Sequence, residues 1–318
     1  MTAYDAVRLA AQFGIDAVEA SELGGGWVNQ NWLVRSRDGS RFIVRRYLGL
    51  NVTQRGITFE HATMQHAAQR VPEVHPPLAA DYGWTFVRDA DDWYVAAFPY
   101  VEGRTGDREA ATSAAGVLAR FHLALTDFHA ERPRVARSVG ILGWLRQRFL
   151  HFAAQPQLAR SLDWDALVLP VARALVDSLA KSARLPLTTV HGDPHPDNFV
   201  VDGGSVTGLI DFDFAHESER LYDVASAADT FGRSSEDATL DLAAAHAFAD
   251  AYHVVAPLTT EEWELLPYLM IRRNAFLVWY VVSRHGERAA GDIGNAERYA
   301  RRVTEIYNLR HEWKAAPA

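Results

Sequence analysis

The block Val190-His191-Gly192-Asp193-Pro194-His195-Pro196-Asp197-Asn198, followed by Gly208-Leu209-Ile210-Asp211-Phe212-Asp213, constrains this chain more than any other stretch. Between the two, residues 199–201 and 206–210 are apolar and flank the turn signal Asp202-Gly203-Gly204. That pattern predicts a short β-hairpin. It carries Asp193 and Asn198 at one end of its sequence and Asp211 at the other, so three oxygen-bearing side chains converge on one spot. Hard cations such as Mg²⁺ take oxygen ligands. An Asp-x-x-x-x-Asn motif followed by an Asp at a strand end is an arrangement used in phosphoryl transfer. One Asp orients the attacking hydroxyl, while the Asn and the second Asp hold the metal that bridges the nucleotide phosphates.

Composition narrows the partners. Apolar residues make up 48% and charged residues 23% of the 318, as in ordinary globular proteins, and the length predicts one or two units with a sizeable core. The net charge of −8 argues against nucleic acid or an anionic membrane as the main partner. The absence of cysteine excludes disulfides, zinc–thiolate centres and cysteine nucleophiles. The most apolar run, residues 265–282, is interrupted by Arg272, Arg273 and Asn274, which predicts a buried helix rather than a membrane span. The first residues lack the basic-then-apolar pattern of a signal peptide, so a cytoplasmic location is expected. Lysine is confined to Lys181 and Lys314.

Taken in order, residues 2–13 predict a short helix, and residues 17–23 an extended strand. Gly24-Gly25-Gly26-Trp27-Val28-Asn29-Gln30-Asn31 then leads into Trp32-Leu33-Val34-Arg35. This reads as strand, glycine-rich turn, strand. Glycine lets backbone N–H groups approach a phosphate, although a plain hairpin turn has the same look. Residues 41–47 alternate as a third strand and residues 52–70 have helical spacing with Glu60 near the middle. Residues 84–87 and 93–98 predict a further strand pair, and a domain boundary is placed just beyond it. From Thr112 the pattern is helical, with Trp144 and Trp164 opening two further helices. After the hairpin nearly all of residues 222–313 reads as helix, and Thr259 with Glu262 fits a capping box opening one that runs to about Ser283. The fold class is α+β: residues 1–99 form a small antiparallel-sheet lobe with one helix, and residues 100–318 a mostly helical lobe that bears the hairpin. The site is expected between the lobes.

In this order the pieces resemble the aminoglycoside phosphotransferase and choline kinase-like family of small-molecule kinases, which have a protein-kinase-like fold. The resemblance covers roughly residues 20–230 and rests on His191-Gly192-Asp193, Asn198 and Ile210-Asp211-Phe212. It implies Asp193 as catalytic base, Asn198 as a metal ligand and Asp211 as the main Mg²⁺ ligand. It implies that ATP is bound by the loop holding Gly25, Gly26 and Asn31, and by Arg45 in place of the usual strand lysine. Glu60 is implied as the helix glutamate pairing with Arg45, and Phe98 and Tyr100 as the segment facing adenine. Asp223 matches an Asp of mainly structural role. Asp213 stands where protein kinases have the Gly of Asp-Phe-Gly. The chain departs from the pattern at Arg45, since no lysine exists in the N-terminal lobe. Arginine still supplies a permanent charge and a bidentate fork. Arg46 is expected on the opposite face.

The implied activity is ATP-dependent transfer of the γ-phosphate to a hydroxyl of a small molecule such as an aminoglycoside, choline, ethanolamine or homoserine. Asp213, His216 and Glu217, with His195 of the catalytic loop, are expected to line the acceptor site, where carboxylates favour an amine-bearing acceptor. A catalytically weak nucleotide-binding protein on the same fold is the alternative prompted by the missing lysine. His191-x-Asp193-x-His195-x-Asp197 also admits a metallohydrolase reading, which Pro194 and Pro196 disfavour. His191 and His122 are expected as hydrogen-bonding or packing residues, and the tryptophans mostly as core.

Overall fold

A computed structural model describes residues 1–24, 29–49, 52–130, 169–182, 185–234, 238–283 and 291–313. The chain opens with α1 (Ala3–Ala10), where Thr2 and Asp5 form a reciprocal capping box. A 3-10 turn continues it to Phe13, and Gly14, at φ 73°, ends it. The expected helix over 2–13 is therefore two pieces.

A five-stranded antiparallel sheet follows, built of β1 (Ala17–Leu23), β2 (Gln30–Ser36), β3 (Arg41–Arg46), β4 (Val87–Arg88) and β5 (Tyr94–Pro99) in the order β1-β2-β3-β5-β4. Strand periodicity gives each face its role. Phe42 and Val44 sit with Leu9, Phe13 and Val34 in a core under α1. Ile43 and Arg45 point the other way, into the cleft. The strand expected over 84–87 shrinks to β4, because a 3-10 turn at Asp81–Gly83 occupies the approach to it. Trp84 and Trp93 are exposed rather than core residues, whereas Trp32 is buried.

Helix α2 (Gln54–Ala67) starts on Thr53, whose hydroxyl accepts the Gly56 N–H at 3.0 Å. Its two sides serve different lobes. Ile57 meets Tyr47, Phe86 and Ala96 against the sheet, while Phe59, Met64 and Ala67 join the large core of the helical lobe. The boundary between the lobes is thus a change of architecture and not a break in packing.

The second lobe contains β6 (Arg104–Thr105), α3 (Ala111–Ala124), α4 (Leu169–Ser182), β7 (Leu187–Val190), β8 (Phe199–Asp202), β9 (Ser205–Leu209) and β10 (His216–Glu219). Helices α5 (Arg220–Phe231), α6 (Leu242–Val255), α7 (Thr260–Ser283) and α8 (Gly291–Leu309) complete it. β8 and β9 are the expected hairpin, joined by Gly203 and Gly204, both at positive φ, as a tight two-residue hairpin turn requires. The capping box at α7 forms with Glu262 accepting from the Thr259 N–H at 2.8 Å. The helix expected at Trp144 lies outside the described residues, as does the start of that expected at Trp164. No described helix is long and apolar enough to cross a membrane.

Candidate active site

The loop of residues 191–198 hangs between β7 and β8 and is held from below by one buried carboxylate. Asp223, on the first turn of α5 and fully buried, accepts the backbone N–H of His191 at 2.6 Å and of Gly192 at 2.9 Å. His122 of α3 donates Nε2–H to the same carboxylate at 3.1 Å and accepts from the Tyr252 hydroxyl at 2.8 Å. Burial alone would raise the Asp223 pKa, but His122, His191 and the Gly192 N–H outweigh it and hold the carboxyl below its usual range.

His191 ties the two halves of the motif together. Its Nε2–H donates to the Ile210 carbonyl at 2.9 Å, and its ring lies 4.5 Å from that of Phe212. Burial pushes its pKa down against the pull of Asp223. Gly192 sits at φ 87°, and a Cβ there would fall 2.2 Å from the Phe214 carbonyl oxygen, so only glycine fits. Both ring nitrogens of His191 are used within the protein, Nδ1 accepting from the Asp193 N–H at 3.3 Å. Among the described residues no group of three His, Cys, Asp or Glu is placed to hold a metal. The metallohydrolase reading fails on both counts.

The backbone brings the three motif residues to the open end of the hairpin. The Ile210 N–H donates to the Asn198 carbonyl at 2.9 Å, which brings the residue before Asp211 beside Asn198. Asn198 donates Nδ2–H to the Asp193 carbonyl at 2.8 Å, leaving its amide oxygen for a cation. Asp211 adopts a left-handed conformation at φ 66°, with a carboxylate that is 42% exposed and therefore reachable. A donor set of amide and carboxylate oxygens fits a hard divalent cation.

Arg45 approaches from the sheet. Its Nη1 lies 3.0 Å from both Asp211 and Asp213, and its Nε donates to Asn31 at 3.1 Å. Burial works against its charge, but Asp211 and Asp213 outweigh burial and raise its pKa. Arg46 faces away and pairs with Asp89 at 2.6 Å and Asp91 at 2.5 Å, as strand alternation requires.

One expectation is corrected here. Glu60 does not pair with Arg45. It accepts from the Tyr47 hydroxyl at 3.0 Å, which also contacts His61 at 3.0 Å, and His61 reaches Thr85 at 2.7 Å. Burial first, and the charge of Asp213 second, push the Glu60 carboxyl well above its usual range. Asp213, expected to line the acceptor site, makes contacts with the sheet lobe. It binds Arg45 and Asn29 and so bridges the helical lobe to the loop over the cleft.

Between the lobes lies a cavity of about 270 Å³ lined by Leu23, Ile43 and Phe98 of the sheet, Tyr100 and Val101 of the connection, and Val200 and Ile210 of the hairpin. Asn31, Arg45, Glu60 and Asp211 line it as well, so an apolar slot adjoins a charged one. Gly25 and Gly26 lie outside the described residues.

On the other side of Asp193, His195 Nε2 stands 3.6 Å from its carboxylate. His216 donates Nδ1–H to the Phe214 carbonyl at 2.6 Å and lies near Tyr222, so it supports the loop. Glu217 is half-buried on β10, opposite Thr189. Sequence reasoning missed Arg273, which forms an ion pair with Asp193 and donates Nε–H to Ser226 at 3.3 Å. Its neighbours act alike: Arg272 pairs with buried Glu219 at 2.6 Å and Asn274 donates to Asp229 at 2.8 Å. The signal was visible as the polar break in the most apolar helix. Three adjacent polar residues at the centre of a buried helix need three buried partners.

A five-stranded lobe bringing a cation over a helical lobe that presents Asp193, Asn198 and Asp211 from one loop and hairpin is the frame of a kinase with a protein-kinase-like fold. The chain belongs to the phosphotransferase enzyme family, whose model matches residues 19–258. It is 28% identical over 282 residues to a homoserine kinase of Methylobacillus flagellatus, covering 84% of this chain and 80% of that one. It is 29% identical to a homoserine kinase of Polaromonas naphthalenivorans, covering 80% and 78%. Among solved structures it resembles the amicoumacin kinase hAmiN, at a TM-score of 0.71 and 14% identity over 91% of each chain. An aminoglycoside phosphotransferase of Alicyclobacillus acidocaldarius matches at 0.68 and 17% identity over 96% of this chain and 94% of that one. The protein is an ATP-dependent small-molecule phosphotransferase with a hydroxyl acceptor. These relatives give no support to the alternative of a catalytically weak nucleotide-binding protein.

Proposed function

We propose that the protein phosphorylates a small amine-bearing alcohol of about the size of homoserine, with Asp193 as the base and Mg²⁺ held by Asn198 and Asp211. What supports this reading most is that Asn198 bonds to the Asp193 backbone and to that of Ile210, the residue before Asp211, while Arg45 pairs with Asp211 from the sheet. The nucleotide base occupies the apolar slot beside Phe98 and Tyr100, with its phosphates directed at Arg45 and Asn31. The acceptor hydroxyl donates its proton to Asp193 as its oxygen bonds to the γ-phosphorus. The bond from that phosphorus to the bridging oxygen breaks, and ADP leaves with the electron pair. The bound cation supplies charge neutralisation of the phosphate oxygens. Arg45 adds a second positive group on the nucleotide side, released from Asp211 and Asp213 when the phosphates arrive. His195 and Glu217 are the side chains proposed to meet the acceptor's amine end.

The homoserine kinase relatives support an acceptor of this size, since they align over about four-fifths of both chains. The test is ADP release by the full chain with ATP and Mg²⁺ against homoserine, choline, ethanolamine, sugars and aminoglycosides. Turnover with at least one small amino alcohol, homoserine above all, and none with aminoglycosides or sugars is expected. Turnover confined to aminoglycosides or sugars would overturn the assignment.

A further inference from the structure

Arg272 and Arg273 are adjacent on α7, yet they are not equally satisfied. The outer nitrogens of Arg272 are closed by Glu219, with Ser218 at 3.3 Å. Arg273 spends Nη2 on Asp193 and Nε on Ser226, and its Nη1 is buried with no hydrogen-bond partner. The side chain is 9% exposed, so the free nitrogen is buried beside Asp193. A terminal Nη carries two N–H groups and much of the charge. The guanidinium lies 5.9 Å from the Phe276 ring, but a buried terminal Nη without an acceptor still gives up hydrogen bonds it would make in water.

We infer that Nη1 of Arg273 is the anion-binding corner of the acceptor site, and that the acceptor carries a carboxylate a few carbons from its hydroxyl. Two physical points favour this ligand. Asp193 neutralises Arg273 only while it is ionised. When Asp193 takes the hydroxyl proton, Arg273 loses its counter-charge, and a carboxylate on Nη1 restores it in that step. A cationic acceptor without a carboxylate would instead face the guanidinium unshielded. An amino acid with a side-chain hydroxyl meets both demands, its ammonium being free to use the half-buried carboxylate of Glu217. Arg273 is then both a positioning residue for Asp193 and a specificity residue for the acceptor.

This inference rests on the proposal that a small alcohol binds at Asp193. The test compares L-homoserine with its carboxamide, which differ only in the carboxylate, using the full chain with ATP and Mg²⁺. The amide is expected to lose about 10- to 100-fold in kcat/KM, chiefly through KM, the range of one charge-assisted hydrogen bond. Arg273→Lys retains a cation but not the fork and should bring acid and amide to within about threefold of each other. Equal use of acid and amide by the unaltered protein would overturn the inference. So would an R273K variant that slows both while keeping the preference, since Arg273 would then act through Asp193 alone. If neither compound is phosphorylated, calorimetry with 2-aminobutyrate and its amide, in ADP and Mg²⁺, separates the two ideas. Carboxylate-dependent binding that R273K abolishes would support the Arg273 site while refuting the proposed acceptor, and no binding would refute the Arg273 site.

Discussion

Glu60 and Asp223 are both carboxylates sealed from solvent, at 3% and 0% exposure, one in each half of the site, and their fates are opposite. Asp223 gathers two backbone N–H groups and a histidine, which hold it ionised against the cost of burial. Glu60 gathers one hydroxyl, and burial drives its pKa up. Burial therefore does not decide ionisation; the number of donors brought to the carboxylate does. The consequence is mechanical. The helical half has a fixed anionic anchor under a preformed catalytic loop. The sheet half has the hydrogen-bonded network of Tyr47, Glu60 and His61 behind Arg45, whose counter-charges come from the opposite lobe. One side is anchored within its own lobe, and the other is held by contacts across the cleft.

That contrast can be broken in several places, and the largest effect lies on the preformed side. Asp193→Asn should cut kcat by about 10²- to 10⁴-fold while ATP binding changes little, read by steady-state kinetics and by nucleotide titration. Asp223→Ala should cost about 3–5 kcal/mol in urea unfolding, because two buried N–H groups lose their acceptor. Glu60→Gln, which keeps an acceptor for the Tyr47 hydroxyl, should cost less than about 1 kcal/mol in the same experiment. Equal losses would remove the distinction between the two carboxylates.

On the sheet side, Arg45→Ala should raise KM for ATP by about 10-fold or more, the loss of one charged contact. Arg46→Ala should leave that KM nearly unchanged and show instead as lost stability, since its partners are Asp89 and Asp91. If Arg46→Ala moves the KM instead, the strand register is wrong.

The smallest effect is in pH. Burial, with help from the charge of Arg45, holds His61 down at about 3, against an ordinary value of 6.5. The unfolded chain thus binds a proton below pH 6.5 that the folded protein refuses. The stability His61 contributes is whole above 6.5 and drains as pH falls, by up to about 1.4 kcal/mol per unit. His191 is shifted in the same direction. Glu60 has the opposite sign, because the folded protein holds its proton above pH 4.5 when the unfolded chain has released it. Between pH 6.5 and about 5, His61→Gln should make acidification more favourable to folding than in the unaltered protein, and Glu60→Gln less so. Parallel pH profiles for the three proteins would show that the Tyr47 network does not titrate as argued.

Much of the architecture was legible in the chain. Asp202-Gly203-Gly204 announced the hairpin, Thr259 with Glu262 announced α7, and the alternation of residues 41–46 put Arg45 and Arg46 on opposite faces. The expected strand before Val87 was lost to a 3-10 turn, and two tryptophans expected inside are exposed, because propensity does not report what a tertiary neighbour leaves uncovered. The site was legible as a set of residues and less so as a set of pairs. Glu60 was matched to Arg45 by its place on the helix, but Asp211 and Asp213 took that arginine. Arg273 was visible only as an interruption in an apolar run.

The sequence by itself determined the elements, the faces of each strand and the motif that places Asp193, Asn198 and Asp211 together. Those depend on turn chemistry, capping and side-chain period, which act over a few residues. Only the tertiary structure decided which charge answers which. Arg45 meets Asp211 and Asp213 across the cleft, and Arg273 meets Asp193 from a helix far along the chain. Partner choice among buried charges follows from distance and desolvation in the assembled core, and neither is written in the spacing of residues along the chain.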